Sequence, residues 1–215
     1  MSFNTKIIEN AGDLRPRCSR CLLLSTLCLC SQLPSLRSRV RLSLMVQWSE
    51  YWRLSNSGRL AGLCLPKTQL LMRGKPGGTP LEDHTPNSDE NCLLLFPGPG
   101  VEVLSPGLLD DRPTRLYVPD GTWREASKIA RKTNFLRGMR RAQLPLGMSS
   151  RYRLRKAPRA GGVSTIEAIA EALAILGEAE NADRLIEVLT LLVNCLGKRR
   201  PSMRLHAEGA HRGLT

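Results

Sequence analysis

Arg115-Leu-Tyr-Val-Pro119-Asp120-Gly121-Thr122-Trp123 passes from an apolar run through a glycine turn into a helix-forming segment. Earlier in the chain, Cys92-Leu-Leu-Leu-Phe96, stopped by Pro97-Gly-Pro-Gly100, has the same form. Short apolar runs bounded by Gly and Pro are the pattern of buried strands. Residues 122–132 then read as a helix. Residues 165–176 and 182–196 follow as amphipathic helices, with Ile166, Ile169, Leu173, Leu185, Leu189 and Leu192 three or four apart. Strands that end in glycine-bearing loops and alternate with helices predict an α/β sheet with flanking helices. Such sheets bind ligands at the carboxyl ends of their strands, so the loops at 96–100 and 120–123 are the expected ligand loops.

Upstream, residues 37–46 alternate Val40, Leu42 and Leu44 with Arg39, Arg41 and Ser43, which predicts a further strand. Ser55-Asn-Ser-Gly58 has the chemistry of a turn at an element boundary. Residues 75–91 are rich in Pro, Gly, Asp and Asn and predict a loop.

Cys18, Cys21, Cys28 and Cys30 form the pattern C-x2-C-x6-C-x-C. Four thiolates so close together can close a tetrahedral site without ligands from elsewhere, and zinc is the metal that suits them. Disulfides are the rival, but they belong to secreted chains. The apolar run 21–30 follows Arg15, Arg17 and Arg20 as a signal peptide's core would, yet it lies far from Met1 and has no clean small-residue cleavage site. It also falls short of the about 20 residues a membrane span requires. A cytoplasmic protein without membrane contact is expected.

The 215 residues carry a formal charge of +13, and 41% are hydrophobic, enough for one well-packed domain. That charge points to an anionic partner, nucleic acid ahead of acidic lipid. Aromatic residues make up only 4%, which argues against a reader of single strands by stacking. The charge is uneven: residues 126–163 hold eleven Lys or Arg and no acid, whereas 164–196 hold six acids against Arg184 alone. One face built for phosphates is expected.

Five motifs stand in order along the chain. They are the cysteine knuckle, Arg53-Leu-Ser-Asn-Ser-Gly-Arg-Leu-Ala61, Leu94-Leu-Phe-Pro97, Asp120-Gly-Thr-Trp123, and Tyr152-Arg-Leu-Arg-Lys156 with Ser164-Thr-Ile-Glu-Ala168. Together they resemble the DTW-domain family, in its bacterial tRNA-uridine aminocarboxypropyltransferase branch. The resemblance implies a SPOUT-like, knotted α/β sheet with flanking helices and an amino-terminal zinc knuckle. It divides the chain into a loose tail (1–14), the zinc knuckle and first strand region (15–46), the catalytic domain (47–197) and a basic tail (198–215). Two departures stand out: Ser57 where Thr is common, and Gln47-Trp48 before Glu50 where a His-Pro pair is frequent.

The implied reaction moves the 3-amino-3-carboxypropyl group of S-adenosylmethionine to uridine N3 in tRNA, releasing methylthioadenosine. Asp120 is the implied catalytic base, or else an orienting group. Phe96, Pro97, Gly98, Gly121, Thr122, Leu154, Ser164 and Thr165 are the expected cofactor-binding residues. Ser164 and Thr165 serve equally well as helix caps, Glu167 suits capping more than catalysis, and Trp123 is a core anchor or a stacking platform. Arg53, Arg59, Arg151, Arg153 and Arg155 are the expected phosphate contacts, with Arg59 or Arg155 alternatively gripping the ligand carboxylate. Cys18, Cys21, Cys28 and Cys30 are the metal ligands, in a purely structural site. The partner is tRNA, and a monomer is favoured. A SPOUT-type RNA methyltransferase, a non-catalytic zinc and RNA-binding module, and a ribosomal RNA target stay open at this stage.

Overall fold

The computed structural model describes residues 16–78, 81–147, 150–152, 154 and 162–197. The two expected tails, 1–14 and 198–215, and the expected phosphate contacts Arg153 and Arg155 lie outside the described residues.

Six strands form one sheet: β1 (Arg41–Gln47), β2 (Gln69–Arg73), β3 (Asn91–Leu95), β4 (Glu102–Val103), β5 (Thr114–Asp120) and β6 (Arg140–Gln143). Their spatial order is β2-β1-β5-β3-β6-β4, and every pairing is parallel. β5 lies between β1 and β3, with Leu116 opposite both Leu42 and Leu93. Parallel pairing requires a crossover after each strand. The helices are α1 (Trp48–Tyr51), α2 (Ser57–Cys64), α3 (Trp123–Lys132), α4 (Thr165–Ile175) and α5 (Ala179–Gly197).

Both faces of the sheet are covered, and β5 shows how. Leu116 and Val118 point to a core shared with Leu60, Ile166 and Leu189 of α2, α4 and α5, whereas Tyr117 points to Ile129 of α3 on the other face. Each such fully buried side chain contributes about 1.5–3 kcal/mol. This two-sided burial explains where the alternation in residues 37–46 misleads. Ser43 and Met45 are as buried as Leu42 and Leu44, because β1 is interior and has no solvent face. Ser43 keeps its hydroxyl satisfied by donating to Gln69 Oε1 (3.2 Å) and accepting from Arg115 (3.2 Å).

Two strands, β4 and β6, had no apolar run to announce them, and β2 had only Leu70-Leu71-Met72. β2 is partly exposed, β4 is a fully exposed edge, and β6 falls inside the arginine-rich block. There Arg140 pairs with Glu102 on β4 at 3.0 Å, so the block is a strand that hosts charge rather than one continuous solvent face. The cysteine segment is no appendage: Cys21, Leu23 and Leu29 belong to the same core as α2, α4 and α5, and the division at residue 46 separates no second core. Among the described residues no helix is long and apolar enough to cross a membrane.

Candidate functional site

At the carboxyl ends of β3, β5 and β6 lies a cavity of about 630 Å3, reached by Leu95, Asp120 and Gln143 at the ends of those strands. Asp120 is its chemical centre. The residue is 4% exposed, lines the cavity, and is held from two sides. Asn56 Nδ2 donates to Oδ2 at 2.7 Å, and Thr165 Oγ1 donates to Oδ1 at 2.6 Å. Three segments far apart in sequence therefore converge on one carboxylate. Each donor comes from a helix entrance. Asn56 is the N-cap of α2, its Oδ1 accepting from Arg59 N at 2.7 Å, and Thr165 opens α4.

The other expected ligand residues divide. Phe96, Pro97, Gly121, Thr122, Ser164 and Thr165 line the cavity. Gly98 and Leu154 are not among the lining residues. Gly98 closes a turn, its carbonyl accepting from Val101 N at 3.3 Å, and Leu154 is 8% exposed and packs into the core. Thr122 forms a capping box with Glu125, whose Oε2 accepts from its amide at 2.8 Å and its hydroxyl at 2.6 Å. Ser164 is likewise a cap. Glu167 Oε2 accepts from the Ser164 amide and hydroxyl and from the Ser150 hydroxyl, each at 2.7 Å, while Oε1 accepts from Arg151 N at 2.6 Å. Glu167 is thus a clamp between the 150–152 segment and α4. Phe96 and Trp123 stack with ring centroids 5.2 Å apart, giving the cavity an aromatic wall.

Several lining residues carried no functional signal in the sequence. Glu50 lines the wall near Asn56, whose Nδ2 also lies 3.4 Å from the Glu50 carbonyl oxygen. The 143–147 segment after β6 forms another wall, and it became legible only once β6 itself was. Asn56 could be read as a helix cap from Asn-Ser-Gly, but its second bond, to Asp120, has no sequence signature.

The arginines separate by burial. Arg53 is half exposed, with Nε 2.9 Å from Glu50 Oε2, and Arg151 is exposed. Arg59 is corrected: at 3% exposure it cannot meet a phosphate at the surface. Its guanidinium donates through Nε to Cys21 O (2.9 Å) and through Nη1 to Arg53 O (3.2 Å) and Tyr51 O. Burial pulls its pKa down to about 10, which leaves it charged at neutral pH. Arg59 is an internal tie between the cysteine knuckle and the segment that precedes Asn56.

All four sulfurs of Cys18, Cys21, Cys28 and Cys30 lie within 4.8 Å of one another. Cys18 and Cys30 Sγ are 3.6 Å apart, and Cys21 and Cys28 Sγ are 3.8 Å apart. Metal–sulfur bonds of about 2.3 Å in a tetrahedron put its corners about 3.8 Å apart, so the donor set and its spacing fit a tetrahedral thiolate metal centre. The knuckle is shaped by the backbone: Leu22 N donates to Cys18 O (2.9 Å), and Cys18 N to Leu23 O (2.8 Å).

Comparison with known proteins gives the family of the chain. A family model described as DTW domain matches residues 15–196. tRNA-uridine aminocarboxypropyltransferase 2 of Macaca fascicularis is 32% identical over 171 residues, 75% of this chain and 57% of that protein. The Mus musculus protein of the same name is 31% identical over 176 residues, 79% of this chain and 59% of that protein. The chain thus spans less than two-thirds of the length of these relatives. The SAM-dependent rRNA:acp-transferase Tsr3 from Vulcanisaeta distributa aligns with a TM-score of 0.47 and 20% identity, covering 74% of this chain and 78% of that one. The matched region contains the four cysteines and all three segments that meet at Asp120, and on that match this chain belongs to the DTW-domain family.

Proposed function

We propose that this protein transfers the 3-amino-3-carboxypropyl group of S-adenosylmethionine to N3 of a uridine in tRNA. The observation that carries the reading is Asp120, a buried carboxylate that lines the cavity and is held by donors from two other motifs. The name of the relatives, tRNA-uridine aminocarboxypropyltransferase 2, supports this reading. Among the described residues the cavity wall carries the carboxylates of Glu50 and Asp120, and a sulfonium would meet opposite charge there. Its aromatic stack of Phe96 and Trp123 suits a flat base.

When bound, S-adenosylmethionine supplies an electrophilic carbon beside its sulfonium, with methylthioadenosine as the leaving group. The chain's part is to take the proton from uridine N3 as that nitrogen attacks. Asp120 Oδ1 is the oxygen for it. Its partner Thr165 Oγ1 is a hydroxyl, which can turn from donor to acceptor once Oδ1 is protonated, whereas the Asn56 amide on Oδ2 only donates. Phe96, Pro97, Gly121, Thr122, Ser164 and Thr165 enclose the ligand and exclude water. Arg53, Arg151, Arg153 and Arg155 contact RNA phosphates, and zinc at the four cysteines fixes the amino-terminal segment. The finer fold reading is a SPOUT-like knot, supported by β5 entering between β1 and β3 after both in sequence. The protein works as a cytoplasmic monomer.

Nucleoside mass spectrometry of unmodified tRNA incubated with the protein and S-adenosylmethionine tests the reading. It requires a uridine heavier by one aminocarboxypropyl group, and a loss of at least about 100-fold in Asp120→Asn. A methyl-sized gain would make the protein a methyltransferase. An unchanged rate in Asp120→Asn would remove Asp120 as the base.

A further inference from the structure

Helix α3 begins at the cavity and turns only one of its faces to the sheet. Ala126, Ile129 and Ala130 are buried, the last two packed with Tyr117 of β5. On the opposite face stand Arg124, Lys128, Arg131 and Lys132, all exposed and at helical spacing. Arg124 also lines the cavity and the other three do not, so the row starts at the cavity wall and runs about 12 Å along the helix. Helix stability does not account for this row. Like charges one turn apart repel and destabilise the helix that bears them. Arg124 is at the second helical position, where the helix dipole disfavours a cation, and only Arg131 and Lys132 in the last turn suit that dipole. The one acid of α3, Glu125, is engaged in the capping box with Thr122. Other exposed arginines have acidic partners: Arg112 has Asp110, Arg140 has Glu102, and Arg184 has Glu187. Among the described residues no acid pairs with the cations of α3. Arg131 instead donates through Nε to Ser127 O at 3.3 Å, which lays its guanidinium back toward the cavity end of the row. An anion along the row would relieve the repulsion and engage every one of these cations.

Resting on the RNA-uridine reading above, we infer that this face of α3 is the track along which the RNA backbone leaves the cavity, with Arg124 nearest the target uridine. The anion must extend from the cavity wall over about 12 Å of helix, which one small phosphate does not do and a phosphodiester chain does. An acidic membrane is the rival polyanion, but a helix that lies on a membrane also offers it apolar side chains. The apolar residues of α3 face the sheet, and the row has none of its own. Contacts to phosphate fix position and carry no sequence information. The track therefore supplies affinity and orientation, and the cavity selects the base. Arg124, Ser150 and Tyr152 line the same cavity, so the track and the 150–152 segment meet there.

Titration of the full chain with unmodified tRNA over a range of salt concentrations tests this in Lys128→Gln/Lys132→Gln, neither residue of which lines the cavity. The control is Arg37→Gln/Lys67→Gln, an equal loss of charge at exposed residues that precede β1 and β2, at the amino ends of the strands. The α3 pair should reduce the slope of log affinity against log salt by about 1.4–1.8 and weaken binding about 10-fold at about 0.1 M salt. Its thermal midpoint should stay within about 2 °C of wild type, which shows that the variant is folded. The control should keep the slope of wild type. An unchanged slope in the α3 variant overturns the inference. So does an equal loss in the control, since the effect would then be one of net charge. A variant that keeps its tRNA affinity but no longer adsorbs to phosphatidylserine vesicles would make the face a lipid surface instead. Nucleoside mass spectrometry on wild type judges the reaction separately. Transfer to uridine by a protein whose slope ignores the α3 pair rejects the track alone. A reduced slope without transfer by wild type keeps the track and rejects the reaction, and a wild type that binds no tRNA rejects both.

Discussion

The α-carbon of Gly58 packs directly against the carboxylate of Asp120: a β-carbon there would stand 2.7 Å from Cγ and Oδ2 and 2.8 Å from Oδ1. Gly58 is in the first turn of α2, where its backbone is helical and glycine is costly by about 1 kcal/mol relative to alanine. Its presence is explained by the close approach, not by a conformational need. Gly58→Ala should therefore keep the fold at a modest net cost, overpacking of about 1–3 kcal/mol exceeding the helix gain, while forcing Asp120 away from Asn56 and Thr165. A displacement of about 1 Å at a reacting group costs about 100-fold in rate. The checks are kcat on tRNA and the thermal midpoint of the same preparation. A fall in midpoint of many degrees with proportionate loss of activity would make Gly58 a packing residue instead.

Arg59 links the cysteine knuckle to the buried carboxylate of Asp120 through the path Cys21 carbonyl, Arg59 guanidinium and backbone amide, Asn56, Asp120. Arg59→Met removes the donor from three buried or half-buried carbonyls, each worth about 1 kcal/mol or more. Stability measured by urea unfolding should drop by about 3 kcal/mol, and Arg59→Lys should not restore it, because a single ammonium cannot span three carbonyls in different directions. Affinity for RNA at fixed stability should be unaltered. Stripping the cysteine site with a chelator should lower the midpoint in wild type, since the site's binding energy is folding energy. In Arg59→Met the chelator should still lower the midpoint, while the further effect on kcat becomes smaller, the path to Asp120 being already cut.

What could be read in the sequence, and what could not, follows from the range of the interactions. Asp120 was legible because an apolar run ending at a glycine is a local pattern, and the cysteines because four soft ligands within one knuckle need no distant help. Gly58 was not, since its reason lies across the fold at Asp120. Arg59 misled because an arginine in a chain of net charge +13 reads as surface, and only the three-dimensional placement of the Tyr51 and Arg53 carbonyls reveals why a charge is buried. β4 and β6 escaped because a strand at or near a sheet edge can be polar, so Arg140-Arg-Ala-Gln143 had no pattern to show, and the apolar part of β2 is only Leu70-Leu71-Met72. The caps at Thr122 and Ser164 were readable from Glu125 and Glu167 three residues on, and both proved to be capping boxes at the cavity rim.

At the opposite end of the sheet, Glu90 sits between Arg115 and Arg41 and is almost fully buried. Hydrogen bonding to Arg115, then to Arg41, holds its carboxyl below its ordinary value of 4.5. A depressed carboxylate pKa contributes stability that is present above the unfolded value and is lost as pH falls through the folded value. Glu90→Gln should therefore destabilise the protein by about 2 kcal/mol at pH 7, partly by leaving Arg115 without its partner. The difference from wild type should shrink as pH is lowered past 4.5 toward the limit of folding. Urea midpoints across that range decide it: a gap that stays constant with pH would mean the loss is one of packing and not of charge.

Phosphate contacts have a signature that buried arginines lack. Each phosphate neutralised by the protein releases counterions, so the slope of log affinity against log salt falls by about 0.7–0.9 for each contact removed. Arg151 is exposed, stands between the lining residues Ser150 and Tyr152, and has its backbone amide held by Glu167. Arg151→Ala should weaken tRNA binding several-fold at about 0.1 M salt, reduce the slope by about 0.8, and leave the thermal midpoint unchanged. Arg59→Met should do the reverse, lowering the midpoint and leaving the slope as it was. Binding titrations at four or five salt concentrations on both variants separate the two. If Arg59→Met changed the slope and Arg151→Ala did not, the RNA would approach from the knuckle side, and the arginine-rich block after β6 would lose its part in recognition.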